Sequence, residues 1–71
     1  MELRWEWIRN GVYHGFGENG QCLAQVENVI GHSGTSDGWL VWLTVQQHER
    51  LDMYPSLDEG QRAAEAALGF L

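Results

Sequence analysis

Gly38-Trp39-Leu40-Val41-Trp42-Leu43-Thr44-Val45 is an unbroken run of β-branched, aromatic and aliphatic side chains, the pattern of a strand that is apolar on both faces. Alternation sets Trp39, Val41, Leu43 and Val45 on one side and Leu40, Trp42 and Thr44 on the other. The strand is expected to run from Trp39 to about Gln47. Both of its sides ask for cover, and the chain offers one helix.

That helix is announced by Ser56-Leu57-Asp58-Glu59, a capping box in which the Ser56 hydroxyl accepts from the Glu59 amide and the Glu59 side chain reaches back. Asp58 and Glu59 face the positive end of the helix dipole, and Asp58 with Arg62 forms an i,i+4 pair. From Gly60 to Phe70, the residues Ala63, Ala64, Ala67, Leu68 and Leu71 build a narrow apolar stripe suited to close docking on a sheet. Gly60 costs about 1 kcal/mol relative to alanine unless close packing requires it.

Upstream, Leu3-Arg4-Trp5-Glu6-Trp7 alternates apolar and charged residues, with Leu3, Trp5 and Trp7 on one side of a strand. Asn10-Gly11 and Asn19-Gly20 are reversal signals. Val12 to Gly17, interrupted by glycines, is open between a short strand and an irregular return. If the second reversal closes a hairpin, Phe16 sits near Leu23, with Gly15 and Gly17 near Cys22 and Ala24. Cys22 to Ile30 is a strand with Ala24 and Val26 on one face and Gln25 and Glu27 on the other. Gly31 to Gly38 holds only residues that break regular structure and is expected as a loop. Pro55 biases Tyr54 away from helix. The predicted architecture is α+β: a three- or four-stranded antiparallel sheet followed by one C-terminal helix packed on one face, β-β-β-α in two layers, forming a single domain over residues 1–71.

Ten acidic residues against four basic ones give a net charge of −6, which disfavours attraction to phosphate backbones or anionic lipid and favours a basic partner. Cys22 is the single cysteine, so it forms no internal disulfide and reads as a small core residue. The chain shows no secretory leader pattern and no apolar run of spanning length. The expectation is a soluble protein of the cytoplasm.

The strand from Gly38 to Val45, together with Ser56-Leu57-Asp58-Glu59-Gly60-Gln61-Arg62-Ala63-Ala64-Glu65, resembles a group of small proteins encoded by phages and prophages. Their sheet carries Gly-Trp followed by alternating apolar residues, and their terminal helix begins Ser-Leu-x-Glu-Ala. The likeness covers the C-terminal half, and Gly60 departs from it where alanine is usual. It implies an acidic accessory protein, in a group that includes anti-CRISPR proteins acting by binding host defence complexes, and it transfers no functional residue.

Candidate chemistry is thin. His14, His32 and His48 with Cys22, Asp37 and Glu49 lack metal-ligand spacing, so neither metal nor cofactor is expected. His32, Ser33 and Asp37 carry the residue types of a hydrolytic triad, but the loop that holds them supplies no rigid frame. Trp5, Trp7, Trp39 and Trp42 are residue types that stack single-stranded bases, yet no basic groove accompanies them. Most are expected to pack in the core under the helix. The second face of the sheet is different: Leu40 and Trp42 must point away from Trp39, Val41 and Leu43 whichever side the helix takes, and either the Val12–Phe16 segment and Tyr54 fold over them or another molecule does. The candidate partner-binding residues are therefore Glu6, Glu27, Leu40, Trp42, Glu49 and Asp52, with Trp42 as apolar anchor and the carboxylates meeting Arg and Lys of a host protein. A homodimer burying the same face twice is the rival reading, and a small hydrolase using His32, Ser33 and Asp37 is the rival from another class.

Overall fold

The computed structural model describes residues 3–44 and 50–69. Its elements are β1 (Arg4–Arg9), β2 (Val12–Phe16), β3 (Cys22–Ile30), β4 (Ser36–Leu43), β5 (Arg50–Tyr54) and α1 (Leu57–Ala67). The strands form one antiparallel meander in the order β1-β2-β3-β4-β5. The fold is thus α+β, an antiparallel sheet with a C-terminal helix, with five strands where the sequence predicts three or four.

β2 is the strand the sequence left open, and β5 is the additional one. The glycine at position 15 does not break β2, because the side chains of Leu3 and Trp5 fill the space above it: a Cβ there would stand 2.9 Å from Leu3 Cδ1 and from Trp5 Cη2. The Asn19-Gly20 reversal closes the β2–β3 hairpin, with Phe16 opposite Cys22 and Gly15 opposite Ala24. Gly17 approaches Leu23 instead of Cys22 or Ala24, a Cβ on it reaching within 2.9 Å of Leu23 Cδ1. β5 forms despite Asp52 and the following Pro55, because the hydrophobic β4 has a second edge to satisfy, and it pairs Trp39 with Tyr54 and Leu40 with Met53.

β4 begins three residues earlier than expected. Two backbone bonds, Gly31 N–H to Thr35 O and Gly34 N–H to Gly31 O, each 3.0 Å, close the preceding loop early. Ser36 then pairs with Ile30. At Gly38, φ is +137° and the Tyr54 carbonyl lies 3.0 Å from where a Cβ would stand, so glycine is required on both counts. The expected extension through Val45 to Gln47 lies outside the described residues.

α1 begins as its capping box predicts, with Ser56 accepting from the Glu59 amide at 3.2 Å, and it packs on β3, β4 and β5. Its contact line is Gly60, Ala64 and Glu65, flanked by Leu57 and Leu68. Ala67, placed in the stripe by periodicity, is exposed. Gly60 is where helix and sheet come closest: a Cβ on it would lie 3.3 Å from both Val26 Cγ1 and Val41 Cγ2. The departure at this residue therefore has a packing reason. The core consists of Leu3, Ala24, Val26, Val41, Leu43 and Ala64, with Trp5, Trp39 and Tyr54 packed against it.

Two features of this side were not specified by the sequence. Trp7, on the same side as Leu3 and Trp5, is 62% exposed and is not among the tryptophans packed on the core, and α1 packs on β3, β4 and β5. Glu65, a charged residue of the helix, is 4% exposed. Its Oε2 accepts from the Leu3 amide at 3.0 Å and from the Trp5 indole N–H at 3.1 Å. One carboxylate oxygen thereby ties the N-terminal strand to the C-terminal helix, satisfying both donors.

Candidate functional site

The register determines what the side of the sheet away from α1 displays. Residues paired across antiparallel strands point the same way, and Val26, Val41 and Trp39 face Gly60 of the helix. The alternate positions therefore form the other face. One row across it reads Glu6, His14, Gln25, Trp42, with Arg50 next in register on β5, and the next reads Arg9, Val12, Glu27, Leu40, Met53. No described element packs over these rows. The Val12–Phe16 segment does not fold across them, since it is a strand of the same sheet, and Tyr54 packs on the core side instead.

Of the candidate binding residues, Glu6, Glu27, Leu40 and Trp42 share this open face. Asp52 is exposed on β5 at a shift in register between β4 and β5. Glu49 lies outside the described residues. Leu40 and Trp42 are half-buried, less open than a bare strand face implies, and Val12 on the same face is 3% exposed.

The face is polar as well as apolar. Arg4 Nη2 contacts Glu6 Oε2 at 2.9 Å, and its guanidinium stands 5.3 Å from the centroid of Phe16. Glu27 accepts from Gln25 at 3.5 Å. His14 and Phe16 lie with ring centroids 6.2 Å apart. Arg4, His14, Phe16 and Met53 are members of this surface that the sequence reading did not single out. The period-2 alternation starting from Glu6 would have found Arg4, but the others depended on knowing that β2 and β5 are strands.

The other candidates stay apart. The Ser33 hydroxyl is bonded to the Thr35 hydroxyl at 2.8 Å, and among the described residues no hydrogen bond joins it to His32. Cys22 is half-buried, with its thiol toward the Ala24 carbonyl at 3.6 Å. Among the described residues no three of His, Cys, Asp and Glu converge as metal ligands. The recess beside the buried Glu65, lined also by Trp5, Asp58, Gln61 and Arg62, holds about 90 Å³, well below the ~300 Å³ at which ligand pockets begin. Among the described residues, no helix is long and apolar enough to cross a membrane.

Comparison with protein-family models, with curated proteins and with solved structures finds no match to this chain.

Proposed function

We propose that this chain is a non-catalytic protein-binding domain that docks through the open face of its sheet. The observation that carries the reading is the pair of adjacent rows, Glu6-His14-Gln25-Trp42 and Val12-Glu27-Leu40-Met53, with no described element over them. Such a surface sets an indole and aliphatic side chains directly beside carboxylates, Glu27 standing between Val12 and Leu40, so apolar anchoring and charge pairing are available side by side. Arg4 is engaged by Glu6 and Arg9 shares the face, and it is the charge of the whole chain, −6, that favours a basic partner.

The phage-type resemblance sharpens this reading. An acidic chain with an aromatic anchor on its open face is suited to occupy the basic channel in which a host defence complex binds nucleic acid. The test is competition. The purified protein is expected to displace a labelled nucleic acid from such a complex, and Trp42→Glu is expected to abolish displacement while the circular dichroism spectrum is retained. Undiminished displacement by that variant, or none by the parent protein across candidate complexes, overturns the reading.

A further inference from the structure

The two edges of the sheet are finished differently. On β5 the Asp52 carboxylate accepts from the Met53 amide beside it at 2.8 Å, and Pro55 follows directly, so this edge is short and partly occupied by its own side chain. β1 is six residues long and ends the strand order on the other side, with no described element beyond it. It also carries Trp7, 62% exposed, and Ile8, 39% exposed. Charged side chains normally protect such an edge, and Arg4 and Glu6 sit here. Their signs are opposite, however, and they are two residues apart on one face.

That spacing is self-complementary. When a second copy of β1 lies antiparallel about a two-fold axis through Trp5, Arg4 of each copy stands opposite Glu6 of the other, Trp5 stands opposite Trp5, and Trp7 stands beside Leu3. An axis through Glu6 instead sets the two Glu6 carboxylates against each other. The axis through Trp7 meets the bulge between Trp7 and Arg9. The ladder to a second copy starts at Arg4, because the Leu3 amide is held by Glu65.

We propose that the outer edge of β1 is the interface between two copies of this chain, paired antiparallel in the register that sets Arg4 against Glu6. This contact gives Trp7 an apolar neighbour and joins the two sheets into one of ten strands. Both open faces then lie on the same side, since a two-fold axis perpendicular to a sheet preserves its sides. The proposal stands apart from the docking role of Trp42, which is not part of the edge.

The experiment is mass in solution by light scattering from micromolar to millimolar concentration, where the parent chain is expected to approach twice its 8.1 kDa. Arg4→Glu and Glu6→Arg each place like charges across the edge, and each is expected to raise the dissociation constant about tenfold or more. Both side chains are exposed, at 66% and 47%, so folding survives, which circular dichroism checks. Mixing the two variants is expected to restore a one-to-one dimer, although neither then has the Arg4–Glu6 contact within its own chain. A parent chain that stays at 8.1 kDa to millimolar concentration overturns the proposal. Single variants that self-associate as well as the parent, or a mixture no tighter than either alone, overturn it too. Trp42→Glu is expected to leave the dimer intact, which separates this result from failure of the docking reading.

Discussion

The two sides of the sheet are built from the same strands but reach burial by different means. On the helix side, Ala24, Val26 and Val41 are fully enclosed, and α1 comes so close that a Cβ at position 60 would press on Val26 and Val41. On the other side, where no described element packs, Val12 is 3% exposed while Leu40 and Trp42 remain half-buried in the rows that hold Glu6, His14 and Glu27. The first side supplies the cooperative core, where every atom has a partner. The second tolerates change in chemistry without loss of the fold, which leaves it free to serve recognition.

Adjacent residues of one strand test this contrast most severely. Val41→Asp buries a carboxylate with no partner, at a cost of several kcal/mol. A domain this short rarely holds more than ~3–5 kcal/mol in its core, so this variant is expected to be unfolded at room temperature. Trp42→Asp, one residue on and facing the other way, is expected to lose no more than about 2 kcal/mol and to melt cooperatively. Equal losses in thermal denaturation would erase the distinction between the two sides.

The next largest effect concerns the tie between the chain ends. Glu65→Ala leaves the buried Leu3 amide and the part-buried Trp5 indole N–H without their acceptor, and ~2–4 kcal/mol of stability is expected to be lost. Glu65→Gln keeps an oxygen in place and is expected to cost about 1 kcal/mol, the smaller part of the loss. Urea unfolding of the two variants separates hydrogen bonding from charge. If both lose the same amount, the charge matters more than the acceptor.

Gly15→Val acts on the same tie from the sheet side. A side chain there meets Leu3 Cδ1 and the Trp5 ring at about van der Waals overlap, 2.9 Å from the Cβ position. Displacing the indole from Glu65 is expected to cost ~1–3 kcal/mol and to shift the tryptophan emission to longer wavelength. An unchanged spectrum would mean that Leu3 alone gives way.

How much of this was legible in the sequence follows the range over which each feature is determined. The alternation of Leu3, Trp5 and Trp7, the apolar run from Trp39, the reversal at Asn19-Gly20 and the Ser56–Glu59 cap are local, and the sheet-plus-helix architecture could be read from them. β5 was not legible, because Arg50–Tyr54 carries no strand signal of its own and forms by pairing with β4. Which of the tryptophans lies outside the core was not legible, and it is Trp7, because periodicity fixes which side a residue faces and says nothing about how far a helix extends across that side. Glu65 was hidden for a similar reason: it flanks the stripe at Ala64, and only a Trp needing an acceptor could have pointed to it. The open face was legible at Leu40 and Trp42, whose strand is unambiguous, and its full extent waited on β2 and β5.

The smallest effect expected is the most discriminating, because two opposed terms nearly cancel in it. Gly60→Ala improves the helix by about 1 kcal/mol, yet the new methyl sits 3.3 Å from Val26 Cγ1 and Val41 Cγ2, closer than those methyls accept without moving. Close packing resists such movement at a cost of ~1–3 kcal/mol, so a net loss of at most about 1–2 kcal/mol is expected on the difference of the two terms. In a Val41→Ala background the obstructing methyl on β4 is gone and the new side chain partly fills the space left behind. There the same substitution is expected to become stabilising, and this reversal of sign is the coupling that a double-mutant cycle measures. If Gly60→Ala stabilises the parent chain as well, helix and sheet have room to separate, and the helix side is no more tightly constrained than the open one.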